Sequence, residues 1–313
     1  MAELQGSVDG GQVSSILPSP LQFLTLGHIT HDLHADGSFS LGGTVTFAAL
    51  TASRLGLATG IVTRATSALI QDLPHIFPDI ALRAYPAAET TTFINQYQQG
   101  FRTQYLCVKA DELQRADVPS AWLATPVVLL GPVAQEIAPE IVALFRRRPG
   151  AIVAATPQGW LRRWDADGHV WPTPWQRYEQ ILPLLDVLIL SHDDLLPFAH
   201  GNRQEADAML HEWSTHVPLL VATDGRHGAT LFRHGTTHHF PAYDVQEIDP
   251  TGAGDVFAAA FLTSLYRHND PERAVDFANC VASFSIEREG VEGIPTLEMV
   301  ERRQRGVYRS DAR

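Results

Sequence analysis

Short, continuously apolar runs alternate with longer segments of helical length from residue 21 onward. These runs lack the apolar and polar alternation of a strand with one solvated face, so they predict strands covered on both faces of a parallel sheet. Alternating strands and helices of this kind predict an α/β, doubly wound fold. The predicted strands are 21–27, 127–131, 151–156, 186–190 and 218–223, and the predicted helices are 43–55, 136–147, 174–184, 204–215, 253–267 and 271–288.

Two regions depart from this alternation. Residues 90–110 are rich in Thr, Phe, Tyr and Val, with polar residues interleaved and a QQG turn at 98–100. That pattern predicts a two-stranded hairpin, either as a small β appendage or as an edge hairpin of the main sheet. Residues 1–20 are polar and contain glycine and proline, and we interpret them as a flexible leader.

Charge and cysteine content narrow the function classes. The formal net charge is -12 and the pI is about 5.5, which argues against a nucleic-acid partner or an anionic membrane surface and favours a small-molecule ligand. The two cysteines, Cys107 and Cys280, lie far apart and form no disulfide framework or CxxC motif, so we expect a cytoplasmic protein. No apolar stretch approaches 18 residues.

The stretch DPTGAGDVFAAAFL, residues 249–262, places two glycines at the start of a predicted helix. Glycine costs a helix about 1 kcal/mol relative to alanine, but it lets an anion approach the free backbone N–H groups of Gly252, Ala253, Gly254 and Asp255. A carboxylate at such a site repels a phosphate unless it serves as a general base. The alternative is an ordinary capped helix, with Thr251 as the N-cap.

Two common nucleotide-binding designs are absent from the sequence. Lys109 is the only lysine, and no GxxxxGK[ST] loop or kinase of the invariant-lysine type can be built around it. No GxGxxG follows the first predicted strand, which argues against a dehydrogenase.

Three motifs together resemble the ribokinase-like, or PfkB, family of carbohydrate kinases. DPTGAGDVFAAAFL resembles the C-terminal signature of that family, LGGTVTFAALTASRLG (41–56) its double-glycine signature, and LLVATDGRHGATLF (219–232) its nucleotide loop. The resemblance implies a mostly parallel sheet flanked by helices over residues 21–313, with a small β-sheet lid formed by segments near 34–42 and 88–110. It also implies ATP and Mg²⁺ as cofactors and a sugar or polyol as the acceptor.

The resemblance assigns roles on the donor side of the site. Asp255 corresponds to the catalytic base, and Gly252, Ala253 and Gly254 correspond to the anion hole. The nucleotide-binding positions are Thr223, Gly225 and Gly228 in the loop and Asn279 on the helix beside the adenine. A tight turn between two strands would explain the loop residues equally, and a helix-packing role would explain Asn279.

On the acceptor side, Asp32 resembles the acid that takes sugar hydroxyls, with Asp36 as its competitor. Gly42 and Gly43 resemble the backbone that approaches the sugar ring. The pieces GHITHD, LGGTVTF, ETTTF and SHDD are similar to the branch that contains myo-inositol kinases. In that branch Gln158 and Arg162 would contact a cyclic polyol, although a surface helix start is the alternative.

The sequence departs from the family pattern at two points. The asparagine expected shortly after the double glycine is absent, and Thr46 and Phe47 occupy that stretch. The NxxE motif is replaced by SHDD (191–194), where Ser191 takes the place of Asn and Asp194 that of Glu. Asp194 would then hold a water-coordinated Mg²⁺.

Other functions stay open from the sequence. A non-catalytic sugar or nucleotide sensor and a nucleoside kinase of the same family fit the same motifs. A metal hydrolase would use His28, His31 and His34, which recur every third residue, but this spacing on an extended segment does not converge on one ion. The resemblance also admits a monovalent cation and a homodimer paired through the lid.

Overall fold

The strands form one large sheet, one small sheet and a two-stranded ribbon. The computed structural model describes residues 20–34, 36–98, 101–145 and 150–306, so the predicted leader lies outside the described residues apart from Pro20. The strands are β1 (Phe23–Leu26), β2 (Thr30–Leu33), β3 (Phe39–Gly42), β4 (Thr59–Ala65), β5 (Ala81–Pro86), β6 (Thr92–Gln98), β7 (Phe101–Val108), β8 (Val127–Leu130), β9 (Ile152–Ala155), β10 (Arg162–Trp164), β11 (Val170–Pro172), β12 (Val187–Ser191), β13 (Leu219–Thr223), β14 (Ala229–Arg233) and β15 (Thr236–Phe240).

Four of the six predicted helices form at nearly their predicted lengths. The helices are α1 (Thr44–Arg54), α2 (Ser67–Ile76), α3 (Pro139–Val142), α4 (Tyr178–Ile181), α5 (Arg203–Ser214), α6 (Ala253–His268), α7 (Pro271–Ser285) and α8 (Leu297–Gln304). The predictions for 136–147 and 174–184 were too long within the described residues, because α3 and α4 are single turns, each followed by a short 3₁₀ segment. Residues 146 and 147 lie outside the described residues. Pro139 sets the start of α3, and Pro183 lies inside the 3₁₀ segment after α4, where it cannot donate a helical hydrogen bond. No helix in the described ranges is both long and apolar enough to cross a membrane.

The large sheet has the order β15-β14-β13-β12-β9-β8-β1-β4-β5, and its strand pairs are parallel except β13–β14 and β14–β15. All five predicted strands are confirmed as neighbours at its centre. Successive residues of β8 enter opposite cores: Val127 and Leu129 pack with α1, α6 and α7, while Val128 and Leu130 pack with α5 on the other side. The continuous apolar runs are therefore explained by burial on both faces.

The small sheet has the order β3-β2-β6-β7. The β6–β7 pair confirms the hairpin predicted for 90–110, although Gln99 and Gly100 of its predicted turn lie outside the described residues. The edge-hairpin alternative is wrong, because β6 pairs with β2 and not with the large sheet. Residues 30–33, which the prediction had not assigned to this sheet, form its second strand and place Asp32 opposite Ser40 and Phe93.

A cluster of hydrogen-bonded groups, most of them buried, joins the small sheet to the large one. This hinge cluster consists of His28, Thr91, Ala110, Asp111 and Glu136. His28 Nε2 lies 2.9 Å from the Asp111 carbonyl oxygen, which can only accept, so Nε2 carries the proton. His28 Nδ1 then accepts from the Thr91 hydroxyl at 2.8 Å, and that hydroxyl accepts from Ala110 N–H at 2.9 Å. Burial lowers the pKa of His28, which agrees with a neutral ring.

The side chain of Glu136, whose carboxylate is part of this cluster, is fully buried. Its carboxylate accepts from the backbone N–H groups of His28 at 3.0 Å, Val133 at 3.0 Å and Ala134 at 2.7 Å. Three backbone donors take the place of water around the buried charge. The loops that follow β1 and β8 are thereby fixed to the same side chain.

Replacing Glu136 by alanine should lower the free energy of unfolding by roughly 3 kcal/mol or more, because several buried N–H groups lose their acceptor. Urea unfolding followed by fluorescence measures the change. The matched control is Glu140→Ala on an exposed residue of α3, expected to change the unfolding free energy by less than about 0.5 kcal/mol. Equal unfolding midpoints for the two variants would contradict the role given to Glu136.

Candidate active site

The amino end of α6 is built from main chain and not from a capping side chain. Gly252 is the N-cap with φ of 74°, in the left-handed region that favours glycine, and no side chain caps the helix. The capped-helix alternative with Thr251 is therefore wrong. Asp249 holds the preceding loop instead, because its carboxylate accepts from Thr251 N–H and from Gly290 N–H, each at 2.9 Å. Although burial opposes it, these hydrogen bonds lower the pKa of Asp249.

Three of the four amides expected to bind an anion are free. Within the described part of the chain, the N–H groups of Gly252, Gly254 and Asp255 have no acceptor. Ala253 corrects the prediction, since its N–H donates to the Pro250 carbonyl at 3.1 Å and closes the turn that leads into the helix. The positive end of α6 thus presents three donors to the space in front of it.

Glycine is present at positions 252 and 254 for different physical reasons. A Cβ on Gly252 would lie 2.4 Å from Cδ1 of Phe47, so packing and positive φ both require glycine there. A Cβ on Gly254 would meet nothing within 4 Å. The sequence analysis predicted that both glycines leave room for an anion. Open space is found at Gly254, whereas Gly252 packs against Phe47.

Asp255 lies half-buried in the first turn of α6. Burial raises the pKa of its carboxyl to about 6, against the opposing effects of the Thr44 hydroxyl and the Arg162 guanidinium, and with a further upward contribution from Asp194. Three segments that are distant in sequence thus act on one carboxyl. A carboxyl with this pKa is mostly ionised at neutral pH and remains basic enough to accept a proton.

Asp194 ends a 3₁₀ turn (His192–Asp194) that directly follows β12. Its carboxylate accepts from Ser191 N–H at 3.1 Å, and burial raises the pKa of the carboxyl while Arg162 opposes that change. The Ser191 hydroxyl accepts from Asp193 N–H at 3.2 Å and thereby caps the 3₁₀ turn. No group of three or more His, Cys, Asp or Glu side chains is arranged as a metal site in the described ranges. A magnesium ion held mainly by water and phosphate oxygens fits a single carboxylate of this kind.

Asp32 and the double glycine lie together on the small sheet. A Cβ on Gly42 would fall 2.5 Å from Asp32 Oδ2, so the carboxylate rests against the bare main chain of residue 42. Gly43 has φ of 87° and approaches the His28 carbonyl closely enough that a Cβ would lie 2.3 Å from its oxygen. Asp36 is exposed and its carboxylate accepts from both the N–H and the hydroxyl of Ser38, as a turn-forming residue does.

Arg162 brings a positive charge that acts on both carboxylates of the site. Its half-buried guanidinium lies 6.0 Å from the centre of the Phe93 ring on β6, and its charge acts on both Asp194 and Asp255. Gln158 begins a 3₁₀ turn whose next three residues are buried. The surface-helix alternative therefore does not describe this segment.

The predicted nucleotide loop joins β13 to β14. The Thr223 hydroxyl donates to the Leu190 carbonyl at 3.4 Å, and Gly225 opens the loop with no atom near its missing Cβ. Gly228 has φ of 100°, and a Cβ there would lie 2.0 Å from the Phe240 carbonyl oxygen. The loop is thus a tight turn packed on the chain after β15, with open space at Gly225.

Asn279 packs on the same stretch from the other side. Its side-chain amide donates to the carbonyls of Phe240 at 3.3 Å and Pro241 at 3.1 Å. The helix-packing alternative describes this contact, and the residue fixes the chain that the nucleotide loop rests on.

The histidines of HITHDLH do not converge. His28 belongs to the hinge cluster, His31 stacks on Phe39 with ring centres 3.9 Å apart, and His34 is exposed. The metal-hydrolase alternative is therefore wrong for these three residues.

Comparison with known proteins gives one match to part of the sequence and one to the fold. Residues 165–297 match the family model described as pfkB family carbohydrate kinase. A solved pyrophosphate-dependent kinase in the ribokinase family, complexed with a pyrophosphate analogue and myo-inositol, superposes with a TM-score of 0.74 over 90% of this chain and 99% of that one, at 21% identity. The PfkB match thus lies in the second half of the chain, and the superposition shows that the chain has the fold of the ribokinase-like kinases.

The curated proteins that the chain resembles match it over limited lengths. Fructokinase-2 of Zea mays is 28% identical over 160 residues, which are 47% of this chain and 48% of the relative. Ribokinase of Bacillus subtilis (strain 168) is 39% identical over 83 residues, 26% of this chain and 28% of that one. The chain thus spans about half the length, or less, of these curated relatives. The PfkB match covers Asp194, the nucleotide loop and Asp255, whereas Asp32 and Arg162 precede it.

Two residues near Asp255 were not predicted to belong to the site. Thr44 and Phe47 both lie on α1, and the sequence offers only their position just after the double glycine as a signal. Phe47 stands in the stretch where the family commonly has asparagine, and it packs on Gly252.

The pair Gly252→Ala and Gly254→Ala separates packing from access. Gly252→Ala should lower the free energy of unfolding by about 2 kcal/mol or more, because the new methyl group meets Phe47 at a positive φ. Gly254→Ala should keep or raise stability by up to about 1 kcal/mol, because alanine favours the helix and its methyl group faces open space. Thermal and urea unfolding measure both, and equal losses would contradict the distinction.

Proposed function

We propose that this chain transfers the terminal phosphoryl group of ATP to a hydroxyl of a sugar or cyclic polyol, with Asp255 as the general base. The observation that carries the proposal is one carboxyl whose pKa is raised to about 6, set beside three free amides at the amino end of α6. A base and an anion-binding end at adjacent residues suit phosphoryl transfer, in which positioning and charge stabilisation supply most of the catalysis.

On the donor side, phosphate oxygens would lie against the amides of Gly252, Gly254 and Asp255, with room above Gly254. The loop at Thr223, Gly225 and Gly228 would carry the rest of the nucleotide. Asp194 would hold Mg²⁺ through water, and the ion would supply neutralisation of phosphate charge. The amide of Asn279 is already committed to two carbonyls, so its role would be to shape the site.

On the acceptor side, Asp32 would accept hydrogen bonds from two hydroxyls while the bare main chain at Gly42 and Gly43 admits the ring. Arg162 and Gln158 would contact the opposite edge of the acceptor. Myo-inositol is the favoured acceptor, supported by the motif resemblance and by the fold of the inositol-bound kinase. The small sheet would close over the acceptor as a lid and exclude water.

The transfer would proceed in line. Asp255 removes the proton from the attacking hydroxyl, the oxygen bonds to the terminal phosphorus, and the bond from that phosphorus to the bridging oxygen breaks, releasing ADP. The free amides of α6 stabilise the charge that develops on the transferred group.

Asp255→Asn should fold as the wild type does and lose at least about 100-fold in turnover, because the amide cannot accept the proton. Since only the ionised carboxyl is a base, wild-type turnover should fall as pH is lowered through about 6. A coupled ADP assay with myo-inositol, fructose, ribose and nucleosides as acceptors measures both. Asp72→Asn, an exposed change on α2, is the control.

The same acceptor panel separates the alternatives. Turnover with nucleosides alone would favour a nucleoside kinase. Inorganic pyrophosphate is included as a second donor, and activity with it alone would overturn the assignment of ATP. Thermal stabilisation by a sugar or nucleotide without any turnover would replace the kinase with a non-catalytic sensor.

Asp32→Asn should raise KM for the acceptor by tenfold or more with little change in KM for ATP, because one charge-assisted acceptor of hydroxyl hydrogen bonds is lost. Asp36→Asn should leave both KM values within about twofold, since Asp36 is exposed and bonded to Ser38. The reverse pattern would move the acceptor-binding role to Asp36.

A further inference from the structure

Arg303 on α8 is a buried cation next to the last turn of α7. Its side chain is only 7% exposed, and Cζ of its guanidinium lies 3.3 Å from the centre of the Phe284 ring. Nη1 donates to the Ser283 hydroxyl and Nη2 to the Glu287 carboxylate, each at 2.6 Å. Because a guanidinium is a rigid fork, these two hydrogen bonds fix the chain on both sides of Ser285, where α7 ends.

The chain that follows α7 supports the loop in front of α6. Ile286 directly precedes Glu287, and its carbonyl accepts from Ile248 N–H at 2.7 Å and from Asp249 N–H at 3.2 Å. Gly290 N–H donates to Asp249 Oδ2 at 2.9 Å. The main chain of residues 286–290 thus holds both the backbone and the carboxylate of Asp249.

Asp249 carries this support to the amino end of α6. Its Oδ1 accepts from Thr251 N–H at 2.9 Å, and Thr251 is followed by Gly252, the N-cap whose N–H is free within the described ranges. The path from Arg303 to the free amides of α6 therefore consists of hydrogen bonds and short stretches of main chain.

We infer that Arg303 is a positioning residue for the phosphoryl donor. By fixing the end of α7 it fixes the loop 248–251, and with that loop the direction of the free amides of α6. The inference rests on the proposed function for the identity of the donor. Amides at a helix end bind an anion well when they already point at it, so a shifted loop weakens donor binding. Asp32 lies on the small sheet, which is not part of this path, so acceptor binding should be spared.

The binding test compares two substitutions of Arg303 with the wild type. Arg303→Met keeps an unbranched side chain and removes both donors, and we expect Kd for ADP with Mg²⁺, measured by calorimetry, to rise about tenfold. Arg303→Lys keeps the charge and can reach one of the two partners, so its Kd should stay within about threefold of the wild type. In the coupled assay Arg303→Met should raise KM for ATP, while KM for the acceptor stays within about twofold.

Two controls on the same part of the chain separate positioning from stability. Arg305 ends α8 and pairs with the exposed Glu301 at 3.1 Å, so Arg305→Met should keep Kd for ADP within about twofold. Val300 is a buried residue of α8, so Val300→Ala should lower the midpoint of thermal unfolding and leave Kd within about twofold. All titrations are run well below the unfolding midpoint of the least stable variant. Equal loss of ADP affinity in Val300→Ala and Arg303→Met would assign the effect to loosening of α8 and overturn the inference.

A double-mutant comparison tests the path through Asp249. In the Asp249→Ala background the loop is already released, so Arg303→Met should raise Kd for ADP by less than about twofold there. A rise of about tenfold in both backgrounds would show that the two residues act independently, and would overturn the path.

Glu287→Ala removes the other half of the ion pair at a more exposed side chain, so it tests the same path even if Arg303→Met does not fold. It should raise Kd for ADP by about threefold or more. Unchanged ADP affinity in either variant would overturn the inference.

The wild type separates this inference from the proposed function. A chain that binds ADP but shows no turnover with any acceptor would sink the kinase function, while the affinity comparison still decides on Arg303. A chain that binds inorganic pyrophosphate and not ADP is compared with pyrophosphate as the ligand. Binding of neither ligand by the wild type would overturn the inference.

Discussion

The contact between the Phe47 ring and the bare Cα of Gly252 fixes two helix starts against each other. α1 begins next to the small sheet and α6 begins at the centre of the candidate site. Because Gly252 has no Cβ, the two helices approach closely at their amino ends. Asp249 anchors the loop behind this contact to Gly290, so the free amides of α6 are held from both sides. The departure from the family pattern at Phe47 thus has a structural use.

The hinge cluster determines where the small sheet, with Asp32, lies relative to the main body. Asp32 lies on the small sheet, whereas Asp255 lies on a helix of the main body, so the distance between acceptor and base depends on how the two parts join. His28 connects them through the Thr91 hydroxyl and the Asp111 carbonyl, and Glu136 fixes the backbone of His28. A network in which each buried polar atom has a partner tolerates little displacement.

The sequence was informative where burial or backbone geometry leaves a strong pattern. The five central strands read as apolar runs because both of their faces are covered, and the start of α6 stood out through its glycines. β4 and β5 were not predicted, because Thr63, Arg64 and Arg83 interrupt the apolar runs of these strands, which lie at the edge of the sheet. The pairing of β2 with β6 joins residues 61 positions apart, such as His31 and Thr92, which no local pattern encodes.

Details of the site depended on contacts that only the fold creates. The sequence could not show that Ala253 N–H turns back to Pro250 or that Asn279 holds two carbonyls. Each of these pairs depends on a loop conformation or on helix packing across the core. The PfkB match covers the predicted donor residues and not the acceptor residues that precede residue 165, so the roles of both sets stay predictions.

The raised pKa of Asp255 also sets a cost for the fold itself. A carboxyl that ionises near 6 in the folded chain, and near 3.8 when unfolded, holds its proton more tightly in the folded state. Its own contribution to stability is therefore fully present below about pH 4 and is lost as pH rises through about 6, by an amount on the order of 3 kcal/mol at most. Asp255 would thus lower the free energy of unfolding of the ligand-free protein at neutral pH, where its ionised carboxylate would act as the base.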